Sequence, residues 1–318
     1  MNEDNWPGMT SENAAAPVVA PPGDAGAENL SWTPAGDQSK ATARPIKVIG
    51  PPAFSLRTVF TGIRTLIQYS DLLYTLSVFR LHVRYKQSFL GWAWAVVQPL
   101  ALMGIYTFIF SHVTTVATGG APYPIFVFSA LLPWIFFSSS ITNSIQGLVT
   151  YPNLLTKMYF PREIIPLSYL AAGLADFLIA SLILAGLMVH YGVALTWNVL
   201  YAIPIFLLIA GFASAIALFF SAVHVRFRDV GLAMPFVMQI WVFAAPVVYS
   251  VQSVPVRLRR IYLLDPVAGL IENFRRAVIY GTAPDPAALA ISAAMAIVSL
   301  ALAYAYFKSS EGAMADLV

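Results

Sequence analysis

Apolar residues fall into runs of about 20 along most of this chain, the length a helix needs to cross roughly 30 Å of hydrocarbon. Six such runs are legible, at residues 94–113, 124–147, 167–189, 199–223, 233–249 and 287–307. The first begins at Trp92 and Trp94, rings that suit the headgroup boundary, and its Pro99 opens a gap in the helical hydrogen-bond ladder. The second carries Pro133, Trp134, Phe136 and Phe137, then the hydroxyls of Ser138 to Ser140, which serve close helix packing as readily as substrate contact. Asp176 lies in the third, where a carboxylate must face a partner or water; it reads either as a polar contact in a translocation path or as a structural group. The fifth holds Pro235 and Pro246. The expected fold class is an all-α integral membrane protein with six transmembrane helices.

Between and before these runs the pattern changes. Residues 1–45 are rich in Ala, Pro, Gly and acidic side chains and lack apolar periodicity, so they read as a disordered cytoplasmic tail. Glu3, Asp4 and Glu12 stand where a signal peptide would be basic and apolar, which leaves insertion to the first span. Residues 46–93 form an amphipathic segment: Ile63, Leu66, Ile67, Leu72, Leu73, Leu76 and Phe79 recur at helical spacing, with Arg57, Arg64, Arg80, Arg84 and Lys86 on the other side. Such a helix lies in an anionic headgroup plane or packs on the protein's own cytoplasmic surface. The stretch YPNLLTKMYFPREIIP, from Tyr151 to Pro166, interrupts two spans with three prolines, Lys157, Arg162 and Glu163, so it belongs outside the hydrocarbon. Tyr159 and Phe160 suit an apolar groove in another protein, with the charges at its rim. Residues 309–318 read as a C-terminal tail.

Composition agrees with this reading. Hydrophobic residues make up 58% of the chain and charged residues 10%, against roughly 25% charged in a soluble domain. The net charge of +3 matters less than its placement. Lys and Arg precede the first span and sit in the connections after the second and fourth, while the connections after the first and third carry none. The positive-inside rule therefore puts both termini and the Tyr151 to Pro166 stretch in the cytoplasm. One connection breaks the rule. Between the fifth and sixth runs lie Arg257, Arg259, Arg260, Arg275 and Arg276, mixed with short apolar segments that suit re-entrant or interfacial helices. Those arginines can snorkel to headgroup phosphates or meet an anionic substrate. A seventh crossing here would send the C-terminus outside.

Several chemistries are excluded or weakly supported. There are no cysteines, and His82, His112, His190 and His224 are scattered singly, so no metal site is expected. None of Lys40, Lys47, Lys86, Lys157 and Lys308 sits in a glycine loop able to cradle phosphate, so the chain is not its own ATPase. No nucleophile elbow appears, and Asp265, Glu272 and Asp285 are poorly spaced for a catalytic pair. No basic stripe invites nucleic acid. Aromatic residues reach 14%; Tyr106, Phe110, Trp134, Phe137, Phe236 and Trp241 are candidates to stack on sugar faces in a channel, or to form an interfacial belt.

Four runs carry a family likeness: RLHVRYKQSFLGWAWAVVQPL (Arg80 to Leu100), NLLTKMYFPREIIPLS (Asn153 to Ser168), RFRDVGLAMPFVMQIWVFAAPVVY (Arg226 to Tyr249) and LLDPVAGLIENFRRAVIYG (Leu263 to Gly281). In this order the chain, over residues 55–308, resembles the type-2 ABC transporter permeases, in particular those that export O-antigen, capsular polysaccharide or teichoic acid. The resemblance implies a homodimer bound to two copies of a separate ABC ATPase that holds ATP and Mg²⁺, with no cofactor in this chain. It implies a coupling helix that meets the ATPase, mapped onto Asn153, Leu154, Lys157, Tyr159, Phe160, Arg162 and Glu163, and a cytoplasmic interface helix that includes Arg80, Arg84, Tyr85 and Lys86. It implies short re-entrant helices forming an external gate, with Arg257, Arg259, Arg260, Asp265, Glu272, Arg275 and Arg276 as its candidates. The expected cargo is a lipid-linked polysaccharide crossing a bacterial inner membrane. The rivals are a type-2 exporter of a small lipid or drug, and a membrane-bound sugar or acyl transferase. The acidic N-terminal tail exceeds what the family's core needs, and nothing here corresponds to the carbohydrate-binding domain that some systems place on the ATPase.

Overall fold

A computed structural model of the chain describes residues 62, 64–86, 88–112, 118–150, 160–255, 257 and 265–317. Among them all regular structure is helical: α1 (Ser70–Tyr85), α2 (Trp94–His112), α3 (Tyr123–Thr150), α4 (Ile164–His190), α5 (Ala202–Arg226), α6 (Asp229–Ala244), α7 (Pro266–Val278) and α8 (Pro286–Leu317). Five stretches, Gly91–Phe110, Tyr123–Thr150, Ile164–His190, Trp197–Arg226 and Pro286–Gly312, are long and apolar enough to cross a membrane.

The expected fifth span, 233–249, is corrected. Helix α6 starts earlier, at Asp229, and stops at Ala244 after 16 residues, about 24 Å of rise. Ala245 turns extended, with φ −81° and ψ 149°, the conformation that the Pro246 ring favours in the residue before it. Helix α8 continues to Leu317, so residues 309–317 of the expected C-terminal tail are helical. The tail expected at 1–45 lies outside the described residues.

Helix α3 is the hub. Its most apolar stretch is 78% buried within the chain, against 11% for α2 and 22% for α8, so the other spans are arranged around it. It packs against α4, α5, α2, α7 and α6, while α8 lies along α5 and α7. Small and hydroxyl residues set the close approaches, as they do where lipid offers helices no hydrophobic reason to associate. A Cβ on Gly147 would meet the Tyr169 ring at 2.5 Å, and one on Gly173 would meet Ser140 Oγ at 2.5 Å. Ser144 Oγ donates to the Pro166 carbonyl (2.9 Å) and Ser221 Oγ to the Ser144 carbonyl (3.1 Å), which stitches α3 to α4 and α5.

Helix ends follow local chemistry. After α4, Val193 N–H donates to Met188 O and Gly192 N–H to Val189 O, a closing pattern that needs the left-handed φ of +67° at Gly192. Helix α7 opens with Asp265 as cap, its Oδ1 accepting from Val267 N–H (3.0 Å), and with Pro266 in the first turn, where a missing N–H costs nothing. Although α7 reads as amphipathic, it is enclosed on nearly every side. Its polar Asn273 is satisfied by donating to Gly269 O (2.9 Å) and accepting from Asp285 N–H (2.6 Å). The connections near it are tied together: Tyr280 OH donates to Thr118 O (2.5 Å), Asn198 Nδ2 to Gly281 O (2.6 Å) and Tyr123 OH to Val248 O (2.9 Å).

Candidate functional site

Of the expected coupling stretch, Asn153, Leu154, Lys157 and Tyr159 lie outside the described residues. Its last residues are described, and they belong to a polar cluster that the sequence reading missed. Phe160 packs on a small apolar cluster formed by Leu148, Ile165, Leu218, Tyr304 and Phe307. Glu163, next to the start of α4, is fully buried, with Lys308 Nζ at 2.8 Å from Oε2 and Tyr304 OH donating to Oε1 at 3.1 Å. Lys308 also pairs with Glu311 (3.1 Å), and Arg162 Nη1 donates to the Glu311 carbonyl. Tyr304, Lys308 and Glu311 follow one another at i, i+4 and i+7, one face of α8. That spacing was the available signal, in a region read as the end of a span and a tail. Glu163 therefore meets the chain's own last helix and is enclosed, so it does not stand at an exposed rim.

A second cluster joins α1 to α4. Asp176 pairs with Arg84 and accepts from Tyr85 OH (2.7 Å), so the intramembrane carboxylate has its cation within the chain. Burial, reinforced by Asp176, pushes the Tyr85 hydroxyl up to about 12, which keeps it a donor at neutral pH. Arg80 is buried with its guanidinium 4.3 Å from the Tyr169 ring centre, a cation–π contact with α4. Lys86 is exposed. Arg84, Tyr85 and Asp176 stand at a cleft of about 350 Å³ walled also by α2 and α3.

The six candidate aromatics separate. Phe137 is fully enclosed, stacked on Phe212 (5.8 Å, 9°) and edge-on to Trp241 (5.5 Å, 89°). Within this chain it is a core residue, because rings from α3, α5 and α6 close over it. Trp241 donates Nε1–H to Asp265 Oδ2 (2.9 Å), which spends its polar edge on the α7 cap. Phe110 stacks on Tyr123 at 5.9 Å. Tyr106 and Trp134 line a smaller cavity of about 190 Å³ with Ser138 and Gln239. Phe236 is 64% exposed on the outer side of α6.

The candidate gate residues are likewise divided. Arg259 and Arg260 lie outside the described residues, and Arg257 is exposed. Arg275, expected to reach headgroups or substrate, is instead wholly buried. It pairs with Glu272 (2.8 Å), donates to Pro246 O (2.6 Å) and Val247 O (3.3 Å), and lies 3.9 Å from the Phe126 ring centre. Its fork of donors serves carbonyls left over where α6 ends, which is why a cation is stable there. Arg276 is half-buried and its carbonyl accepts from Thr282 N–H (3.1 Å). Asp265 is a cap: burial raises its carboxyl above the usual range, and the Trp241 and Val267 N–H groups partly offset that. Asp285 caps α8 through Ala287 N–H (3.0 Å), so Asp265, Glu272 and Asp285 hold helices and an ion pair in place.

Comparison with known proteins places this geometry in a family. The ABC-2 type transporter family matches residues 71–279. The chain is 34% identical over 169 residues to the O-antigen export system permease protein RfbA of Myxococcus xanthus, covering 53% of this chain and 64% of that protein. It is 34% identical over 163 residues to the protein of the same name from Klebsiella pneumoniae, covering 50% and 61% respectively. The matched region thus spans somewhat under two thirds of these relatives' length. With five membrane-length helices and a family match running from α1 through α7, the chain belongs to the ABC-2 type transporters.

Proposed function

We propose that this chain is the permease subunit of an ATP-driven exporter that moves a lipid-linked polysaccharide across a bacterial inner membrane. The observation that carries the reading is its 34% identity to O-antigen export permeases from two organisms. Because the sequence has no loop able to cradle phosphate, ATP and Mg²⁺ belong to a separate ABC ATPase. The assembly is two copies of this chain with two of the ATPase. In each copy α6, together with the turn at 245–249, makes a sixth and short crossing, and α7 is a re-entrant helix facing the external side. Both termini lie in the cytoplasm.

Residues 153–163 receive the displacement produced when the ATPase closes on nucleotide. Arg162 and Glu163, joined to α8 through Lys308 and Glu311, support this reading, because a push on that segment cannot leave the last helix behind. Coupling of this kind requires two states that the nucleotide-loaded partner distinguishes energetically. Deleting the chain from its host and probing surface glycan is the test. Loss of surface polysaccharide with lipid-linked polymer accumulating inside is the expected result. Unchanged surface glycan with altered lipid or drug efflux would replace polysaccharide with a small amphiphile.

A further inference from the structure

The cleft between α1, α2, α3 and α4 carries chemistry that the export reading leaves unused. Its volume, about 350 Å³, is that of a small-ligand site. Trp94 opens α2 and Gln98 follows one turn later, so on α2 the cleft lies within about 7 Å of that end of the helix, while on α4 it extends inward from Asp176 to Ala180. Polar walls come from Gln98 and Asn143, and apolar ones from Trp94, Phe136 and Phe177.

Among the described residues that line it, the charged ones are Arg84 and Asp176, whose side chains keep 29% and 21% of their exposure. Their charges cancel. A purely anionic headgroup at Arg84 would sit against the Asp176 carboxylate, and a purely cationic one at Asp176 would sit against the guanidinium. A headgroup with both signs meets neither penalty. Arg84 spends Nη1 on Asp176, and a guanidinium has five N–H donors, enough to bind a phosphate as well. An ammonium nearby gains from the carboxylate and from the Trp94 face.

We propose that this cleft binds a zwitterionic amino phospholipid of the phosphatidylethanolamine kind, its phosphate on Arg84, its ammonium toward Asp176 and its first methylenes against Phe136 and Phe177. The diphosphate of a polyprenyl carrier, with several negative charges and no ammonium, is disfavoured by Asp176, so the cleft is distinct from the path of the cargo.

Native mass spectrometry of the delipidated full-length chain, offered equal amounts of phosphatidylethanolamine and phosphatidylglycerol, is the test. The expected result is one phosphatidylethanolamine per chain, retained about tenfold over phosphatidylglycerol, the scale of one charge-assisted hydrogen bond. Asp176→Asn should swing the preference toward phosphatidylglycerol. Ser139→Phe, which fills the cleft and leaves the ion pair intact, should abolish retention. Equal retention of the two lipids by the unmodified chain, undiminished retention in Ser139→Phe, or displacement of phosphatidylethanolamine by polyprenyl diphosphate would each overturn the proposal. The lipid competition needs no variant, so it decides the matter even if Asp176→Asn does not fold.

Discussion

Neutralising Lys308 should damage this protein more than neutralising Glu163, although the two form one ion pair. Lys308→Met leaves the Glu163 carboxylate, which has no exposure to solvent, with the Tyr304 hydroxyl at 3.1 Å as its remaining side-chain partner among the described residues. Stranding a buried charge in this way costs about 3–5 kcal/mol. Glu163→Gln has a milder effect. Lys308 keeps Glu311 at 3.1 Å and retains 18% of its side-chain exposure, so the loss is one charged hydrogen bond, about 1–3 kcal/mol. Replacing both, as Glu163→Gln with Lys308→Met, should cost less than the sum of the single changes, because neither leaves a bare charge behind. The assay is thermal inactivation of the purified full-length chain in detergent at a fixed scan rate, read as the monodisperse fraction, since membrane proteins seldom unfold reversibly. Equal losses from the two single variants, or additive losses in the double variant, would refute the burial argument. Export assays of the Gln and Met variants, which keep side-chain volume, then test whether the link also transmits displacement.

Other expectations rest on equally local contacts. Arg275→Lys should destabilise nearly as much as Arg275→Met, by about 2–4 kcal/mol in the same assay, because an ammonium cannot span Glu272 and the carbonyls of Pro246 and Val247 together. Gly231→Ala places a Cβ 2.5 Å from His224 Cε1 and threatens the Gly231 N–H to Nδ1 bond (3.1 Å), so it should cost about 1–3 kcal/mol, with part recovered in Gly231→Ala/His224→Ala. Burial raises the Asp265 carboxyl, so the folded chain binds its proton more tightly than the unfolded one does. Stability should therefore fall as pH rises from the ordinary carboxylate range through that raised value, and Trp241→Phe, which removes an N–H that favours the charged form, should extend the fall to higher pH. Melting temperature against pH for the two proteins measures it.

What could be read from sequence follows the range of the physics involved. Hydropathy and proline placement are local, and they locate α2 to α5 to within a few residues, because a span needs a fixed length of apolar side chains. The same local logic fails at α6. An apolar run continues through Tyr249, but Pro246 ends the helix, and the carbonyls released there are served by Arg275, 29 residues away. Arg275 was legible as a cation in an unexpected place, while its enclosure depended on packing by α3 and α7. Glu163 and Lys308 are separated by 145 positions, so no periodicity on either helix announces their pairing. The Tyr304, Lys308, Glu311 spacing was visible only as a polar stripe. It gained meaning once α8 was seen to run on to Leu317. The aromatic candidates divide for a related reason: a ring's identity says that it will be covered, and only the tertiary arrangement says whether by protein, lipid or cargo.

The buried guanidinium of Arg275 also orders events during synthesis. The carbonyls of Pro246 and Val247 emerge from the ribosome 28–29 residues before the side chain that will bind them, an interval of roughly 1.5–6 s at ordinary elongation rates. Until then those two carbonyls lack the guanidinium that serves them in the folded chain, a condition that is costly wherever hydrocarbon surrounds them. The nascent chain is therefore expected to hold α6 at the protected edge of the insertion machinery and to release the segment through α7 as one unit. Residue changes that delay or misplace Arg275 would then show first as loss of inserted protein, well before any measurement of transport.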